Sequence, residues 1–401
     1  MPDASAPPLA SSYEFTTDYL LCCSDPEPLA LAELLSIADG DSLRRYEALS
    51  LGYTDSQGDP ALREAVAAQY ERISADGVLI IAPEEGVYLA MTALGERLTA
   101  AGRTHAICTS PAYQSLYEIL ATTFGFEVDF WTPRVVDQAT GALAFDVGDL
   151  EAMVRPGETG AVVVNFPHNP TGCALSAEEQ ARVAAAAENA GAFLFGDEMY
   201  RGVERPGGQP LASFSDLGSG SASGAGLRSA ALGGLSKTYG LPGLRVGWVA
   251  TRDAELMARM RELRDFTTIC SPAPCEALAL AAVRAAPTLQ GRVIERVAAN
   301  VALADDFFGQ RSELFRWTPG GPAAGTIAMA RFARDGTDAM AAAETIVEEA
   351  SVLLLPATAL DFERKEYFRV GLGRANFPEA LEALADACEM DAVLDVLQAP
   401  E

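Results

Sequence analysis

From Val78 onward, short apolar runs alternate with longer segments of helical period. The run Val78–Ala82 leads into Glu84–Ala101, Thr104–Thr109 leads into Tyr113–Phe124, and Phe126–Trp131 follows. Ala161–Phe166 then leads into Ser176–Ala190, which opens on the capping-box pair Ser176 and Glu179, and Ala192–Gly196 comes next. Two further apolar runs, Ala230–Leu235 and Leu244–Ala250, flank a Gly/Pro-rich turn. Strands that alternate with helices predict an α/β fold, a mostly parallel central sheet sandwiched by helices. In such sheets ligands gather at the carboxyl ends of the strands. Pro83-Glu84-Glu85, Tyr113, Asn169, Asp197 and Lys237 all fall there.

The flanks read differently. Residues 1–12, rich in Pro, Ala and Ser, read as a disordered tail with neither the basic nor the apolar region of a signal peptide. Tyr19-Leu20-Leu21-Cys22-Cys23-Ser24-Asp25-Pro26-Glu27-Pro28 is extended and apolar, then breaks at its prolines, as an arm entering a site from outside would. Asp59 and Pro60 suit the N-cap and first position of a helix whose Leu62, Val66, Tyr70 and Ile73 share one face. Gly218–Gly226 reads as a flexible loop, and a long helix from about Pro287 to Gln310 leads to a small α+β lobe. That lobe contains strand Thr326–Arg331, helix Thr337–Ala350, strands Val352–Leu355 and Tyr367–Gly371, and helix Pro378–Leu397. The expected division is the tail at 1–12, an arm at 13–45 counted with the small domain, a large domain at 46–286 and a small domain at 287–401.

Charge narrows the function classes. The 29 basic and 56 acidic residues give a net charge of −27, which argues against nucleic acid or an anionic membrane as partner. No apolar run approaches membrane-spanning length. The seven cysteines form no CxxC pair, and with only two histidines the chain has little for a metal site or a Ser/His triad. A reducing cytoplasm fits this cysteine usage.

Three segments carry chemistry. In Gly234-Leu235-Ser236-Lys237-Thr238-Tyr239-Gly240 a lysine stands where a strand gives way to a turn, and Arg245 follows eight positions later. A buried amine loses its proton more readily and becomes a nucleophile toward an aldehyde, while an arginine fork suits a phosphate. Phe193-Leu194-Phe195-Gly196-Asp197 ends an apolar strand in a carboxylate that needs a cationic partner, with Tyr200 three residues on. The alternative for Asp197 is a cap on the next turn. Asn165-Phe166-Pro167-His168-Asn169-Pro170-Thr171-Gly172 closes another strand with an amide between two prolines, which by itself could be only a turn.

Asn-Pro-Thr-Gly, then Asp-x-x-Tyr, then Ser-Lys with an arginine eight residues after the lysine resembles the class I/II aminotransferases, pyridoxal 5'-phosphate (PLP) enzymes of fold type I. The likeness runs from about Leu51 to Arg374. It implies that Lys237 binds the cofactor aldehyde as a Schiff base and then shuttles the proton between Cα and C4′. It also implies that Asp197 pairs with the pyridinium N–H, that Asn169 and Tyr200 hydrogen-bond the phenolic oxygen, and that Tyr113 stacks on the ring. Arg245 resembles the phosphate clamp, and Tyr53 resembles the tyrosine sent across a homodimer interface to the other subunit's phosphate. Arg369 resembles the clamp on the substrate α-carboxylate, with Asn169 beside it.

Two positions depart from the family pattern. Gly234 stands where a phosphate-binding serine is usual, and Pro83 interrupts the loop whose N–H groups cradle the phosphate. The cradle then falls to the Glu84 and Glu85 amides at a helix N-terminus, with Ser236 as a substitute hydroxyl. Cys22 and Cys23 lie on the arm, and Glu27, Asp55, Glu84 and Glu198 are acids that could recognise a basic side chain. The first reading is an aminotransferase that passes an α-amino group to a 2-oxo acid. A second uses the same residues for elimination, replacement or cyclisation. The segments Ser24–Leu34 and Gly234–Arg245 look like those of capreomycidine synthases, which cyclise a hydroxylated arginine, and the first departs from the Gly-x-Pro arm of ordinary transaminases. A third, a PLP-binding module without turnover, would need a basic DNA-binding domain that neither terminus supplies.

Overall fold

The computed structural model describes residues 13–205, 211–217 and 226–398. The expected tail at 1–12 and positions 218–225 of the Gly/Ser/Ala run lie outside the described residues. Seven strands form the main sheet: β1 (Val78–Ile81), β2 (His105–Thr109), β3 (Glu127–Trp131), β6 (Thr159–Asn165), β7 (Phe193–Asp197), β8 (Arg228–Gly234) and β9 (Gly247–Thr251). A hairpin of β4 (Arg134–Asp137) and β5 (Ala142–Ala144) stands apart. The sheet order is β1-β9-β8-β7-β6-β2-β3, with β9 antiparallel to both neighbours and every other pair parallel.

Alternation within single strands explains why the sheet needs helices on both faces. In β1, Leu79 and Ile81 join one core with Val87, Met91 and Leu94, while Val78 and Ile80 join another with Leu62, Val66 and Trp248. A strand buried on both faces needs helices on both sides of its sheet, and this holds even for β1, an edge strand joined through the antiparallel β9 to the parallel strands that the apolar runs predict.

The second sheet is antiparallel, in the order β10 (Phe315–Arg316), β11 (Ile327–Phe332), β13 (Tyr367–Gly371), β12 (Leu355–Pro356). Helices Ala286–Gln310, Ala339–Ala350 and Phe377–Ala387 contribute to its core. Leu21 and Cys22 of the N-terminal arm also lie in this core, and Tyr19 bridges Val352 in parallel. Burying a leucine such as Leu21 contributes roughly 1.5–3 kcal/mol, so the arm is held by packing as well as by its backbone bonds.

Local structure differs from expectation in four places. The helix expected over Tyr113–Phe124 is a turn at Ser115–Glu118 that widens into a π turn at Ile119–Thr123. There the Thr122 hydroxyl donates to the Glu118 carbonyl at 2.6 Å, a bond that competes with the helical ladder. Lys237 lies within one helical turn, Leu235–Thr238. The strand expected at Val352–Leu355 starts three residues later, as Leu355–Pro356, because the Val352 position is taken by Tyr19 of the arm. The helix expected over Pro378–Leu397 is two, Phe377–Ala387 and Asp391–Gln398. A single helix of that length would span about 30 Å and run off the lobe; broken, both pieces reach helix Ala339–Ala350.

Candidate active site

The register of the main sheet places the chemistry. Asn165 and Asp197 are paired at the carboxyl ends of β6 and β7, and Leu232 of β8 stands beside Asp197. Asn165 Nδ2 donates to the Asp197 carbonyl at 3.0 Å, while its Oδ1 accepts from the Asn169 N–H at 2.8 Å, so one amide ties the two strand ends together. The Asp197 side chain is buried and accepts from the Met199 N–H at 3.1 Å. Burial pushes its carboxyl up to about 7, with Glu84 and Glu198 adding to the rise.

Lys237 follows β8 by one turn and meets the arm. Its Nζ donates to Ser24 Oγ at 2.8 Å. Burial brings the amine down to about 8; the nearby Asp25 carboxylate works against that shift, and Arg369 adds to it. Asp25 is paired with Arg374 at 2.7 Å. Reaction of the amine with an aldehyde needs its neutral form. Covalent capture of an aldehyde cofactor should therefore accelerate with rising pH and level off a little above pH 8, instead of climbing to the 10.5 of a free lysine. Stopped-flow absorbance at a series of pH values measures this.

Arg369 of β13 is buried, donating from Nε to the Cys22 carbonyl at 3.0 Å and from a terminal nitrogen to Asn169 Oδ1 at 3.1 Å. The Tyr200 hydroxyl is buried without a hydrogen bond of good geometry, although Ser24 comes close to it. Tyr113, 43% exposed, lies within electrostatic reach of both Arg369 and Asp197. These side chains, drawn from strand ends and loops more than 300 residues apart in sequence, surround one cleft.

At its other end, Pro83 opens helix Pro83–Ala100, so the Glu84 and Glu85 N–H groups head the first turn, where no intrahelical acceptor exists. The Glu84 side chain is exposed, whereas the Glu85 carboxylate accepts from the Thr267 and Thr268 hydroxyls. Ser236 is buried beside Lys237. Arg245, left-handed at φ 54, is exposed and donates to the Pro242 carbonyl at 3.1 Å, close enough to influence the Lys237 amine. Tyr53 is 91% exposed and does not reach the cleft of its own chain.

Residues 48–387 match the family described as aminotransferase class I and II. The chain belongs to that family. It is 30% identical to a capreomycidine synthase from Streptomyces vinaceus over 381 residues, 90% of this chain and 84% of that one. A PLP-dependent aminotransferase from Streptococcus suis superposes with a TM-score of 0.81 at 25% identity, covering 94% of this chain and 95% of that one. The PLP-dependent cyclase OrfR does so with a TM-score of 0.80 at 28% identity, covering 96% and 98%. The protein is thus a PLP-dependent enzyme of fold type I, an aminotransferase or a lyase/cyclase on that fold. The cleft fits the cofactor on its own terms: among the described residues Asp197 is a buried carboxylate in no ion pair, with Lys237 acting on it only at longer range, and Tyr200 offers a buried hydroxyl without a hydrogen bond of good geometry.

The two departures from the aminotransferase pattern are sterically coupled. A Cβ on Gly234 would lie 2.8 Å from Met199 Cε and 3.3 Å from Pro83 Cγ, and one on Gly247 would lie 2.9 Å from Pro83 Cγ. The end of the Met199 side chain, with the Pro83 ring beside it, thus fills the space that a serine at 234 would need. The residue that sequence reasoning missed as a site member is Ser24. A second glycine signal pointed to it: a Cβ on Gly371 would collide with the Cys23 carbonyl oxygen, and one on Gly373 would stand 2.5 Å from Pro26 Cα. The Gly-Leu-Gly after Arg369 is what lets the arm lie against β13. His168 is buried, its ring pushed down to about 3 by burial, and is neutral at physiological pH.

Proposed function

We propose that this enzyme acts as a lyase/cyclase on an amino acid with a hydroxylated, basic side chain, in the manner of a capreomycidine synthase. The observation that carries the reading is the contact between Lys237 and Ser24. The arm segment that departs from ordinary transaminases is the one that touches the reactive amine. The relationship to the capreomycidine synthase over 90% of the chain supports it. So do the acids at the mouth, with Asp25 near the amine and Glu84 and Glu14 near Tyr113.

In this reading Lys237 is the covalent attachment point of PLP and Asp197 holds the ring nitrogen. Asn169 and Tyr200 contact its phenolic oxygen, and Tyr113 covers its face. Arg245, Ser236 and the Glu84 and Glu85 amides take the phosphate, joined by Tyr53 from a partner subunit. Arg369 binds the α-carboxylate. Bound there, PLP supplies an electron sink that makes the substrate Cα–H acidic. The displaced Lys237 amine takes the Cα proton. The Cβ–O bond then breaks, the hydroxyl leaving as water with the proton that Lys237 took from Cα; a side-chain nitrogen adds at Cβ, and the proton it releases is returned by Lys237 to Cα, so the net change is loss of one water.

A homodimer is supported by an exposed apolar patch. Leu51, Tyr53, Phe266 and Ile269 are half to fully exposed, and Thr54 Oγ1 donates to the Ser271 carbonyl, joining the two segments. A second copy covering this patch would bring Tyr53 to its cleft. Seven free cysteines support a cytoplasmic location, and no helix among the described residues is long and apolar enough to cross a membrane. The division into an arm at 13–45 that goes with a small domain at 287–401, and a large domain at 46–286, agrees with the packing of Leu21 and Cys22 in the second core.

The test is incubation of PLP-loaded enzyme with a panel of amino acids, including arginine and its hydroxylated forms, without an oxo-acid acceptor. We expect many turnovers to a product lacking one water, with the cofactor still as PLP by mass spectrometry. Stoichiometric pyridoxamine phosphate and a 2-oxo acid would overturn the cyclase reading and establish an aminotransferase.

A further inference from the structure

We propose that Ser24 is a positioning residue for the Lys237 amine, holding it on the arm side of the cleft and stabilising it once it has taken the substrate's Cα proton. The inference rests on the role given above to Lys237. Ser24 is buried, and its hydroxyl accepts from Nζ at 2.8 Å, the one hydrogen bond that Lys237 Nζ makes among the described residues.

The arm does not need that hydroxyl to stay in place. Thr326 Oγ1 donates to the Ser24 carbonyl at 2.5 Å, and the Gly371 N–H to the Leu21 carbonyl at 2.6 Å. The Glu27 N–H donates to the Gly373 carbonyl at 2.8 Å, the Leu29 N–H to the Gly240 carbonyl at 3.0 Å, and Arg374 pairs with Asp25. Each of these bonds uses a backbone group or another side chain, so the Ser24 Oγ is left to the amine.

A serine hydroxyl donates one hydrogen bond and accepts two. Accepting from Lys237, Ser24 keeps its own proton for a further partner, and Tyr200, whose hydroxyl lacks a completed bond, is close by. The bond to Lys237 is an ordinary one while the amine is neutral. It becomes charge-assisted when the amine is an ammonium, the form created by taking the Cα proton. An interaction that strengthens along the reaction coordinate accelerates the step instead of merely tightening the ground state.

The test compares Ser24→Ala and Ser24→Thr in the full-length, PLP-loaded protein. We expect both variants to load PLP in full, read as visible absorbance per subunit. Solvent-deuterium exchange at the substrate Cα should slow roughly 10- to 100-fold in Ser24→Ala and recover most of its rate in Ser24→Thr, the range for loss of one hydrogen bond to a charged group. The acidic limb of its pH profile should move to lower pH, because the ammonium loses an acceptor. Exchange within twofold of wild type in Ser24→Ala, or loss of PLP loading, would overturn the proposal; the latter would make the hydroxyl part of the scaffold. A visible band that survives in Lys237→Ala would instead sink the assignment of Lys237, so the two failures are distinguishable.

Discussion

Lys237→Ala should abolish the visible absorbance of the lysine-bound cofactor and slow Cα hydrogen exchange by about 10⁴-fold, the upper end for a positioned acid–base group. The expectation combines two roles in one side chain. Lys237 is the amine that the fold sets at the carboxyl edge of the sheet, buried and eased toward its neutral form. Arg369, Arg374 and Arg245 are the neighbouring cations, but an arginine stays protonated and serves neither as nucleophile nor as base. His168 is neutral and buried, with Thr171 Oγ1 taking one ring nitrogen at 2.7 Å, so it cannot take over. The variant should remain folded, since the change removes a polar group whose contact is a single serine. Absorbance spectra after gel filtration, with exchange followed by NMR, measure both effects. A persistent visible band in the purified variant would refute the assignment.

The main sheet was legible because each strand is a short apolar run bounded by turn residues and followed by a segment of helical period. Asp197, Lys237 and Asn169 were legible because each stands just where such a run stops. The Asp-x-x-Tyr and Ser-Lys spacings are local, and the family likeness rests on them. What stayed hidden is what the chain brings together from afar. Ser24 lies 213 residues from Lys237, and the Cys22 carbonyl lies 347 from Arg369. No periodicity marks a residue whose role depends on where an irregular arm crosses a distant strand. The fingerprint of that crossing was in the partner strand, in Gly371 and Gly373, which read as an ordinary strand end until the arm is seen against them. The Phe377–Gln398 region was misread for a related reason. Both of its helices pack on helix Ala339–Ala350, and the Cys388-Glu389-Met390 break between them carries no proline or glycine to announce it.

Asp197→Asn should separate stability from chemistry. In the cofactor-free protein the Asp197 carboxyl is raised from 3.8 to about 7, chiefly by burial. A folded-state value above the unfolded one means that the folded protein holds a proton which the unfolded chain has released, so this group's contribution to stability falls as pH rises from about 4 to about 7. At pH 8 the carboxylate is charged and buried and, among the described residues, in no ion pair, with Lys237 only partly offsetting its burial. Asparagine keeps the shape and removes the charge, so the cofactor-free variant should be more stable than wild type at pH 8 by on the order of 2 to 4 kcal/mol, and the gain should vanish below about pH 4. Urea denaturation across pH measures this, and equal stability at pH 8 would show that the carboxylate is not strained by its burial. Loaded with PLP, the same variant should lose Cα exchange by about 10²-fold or more, because a neutral amide no longer holds the ring nitrogen in its protonated, electron-withdrawing state. Asp197→Ala should lose exchange in the same way while retaining some cofactor. A carboxylate that costs stability when the cleft is empty and is needed only when the ring is present is placed for the reaction and not for the fold. Exchange that survives unchanged in both variants would contradict that role, whatever the stability measurement gave.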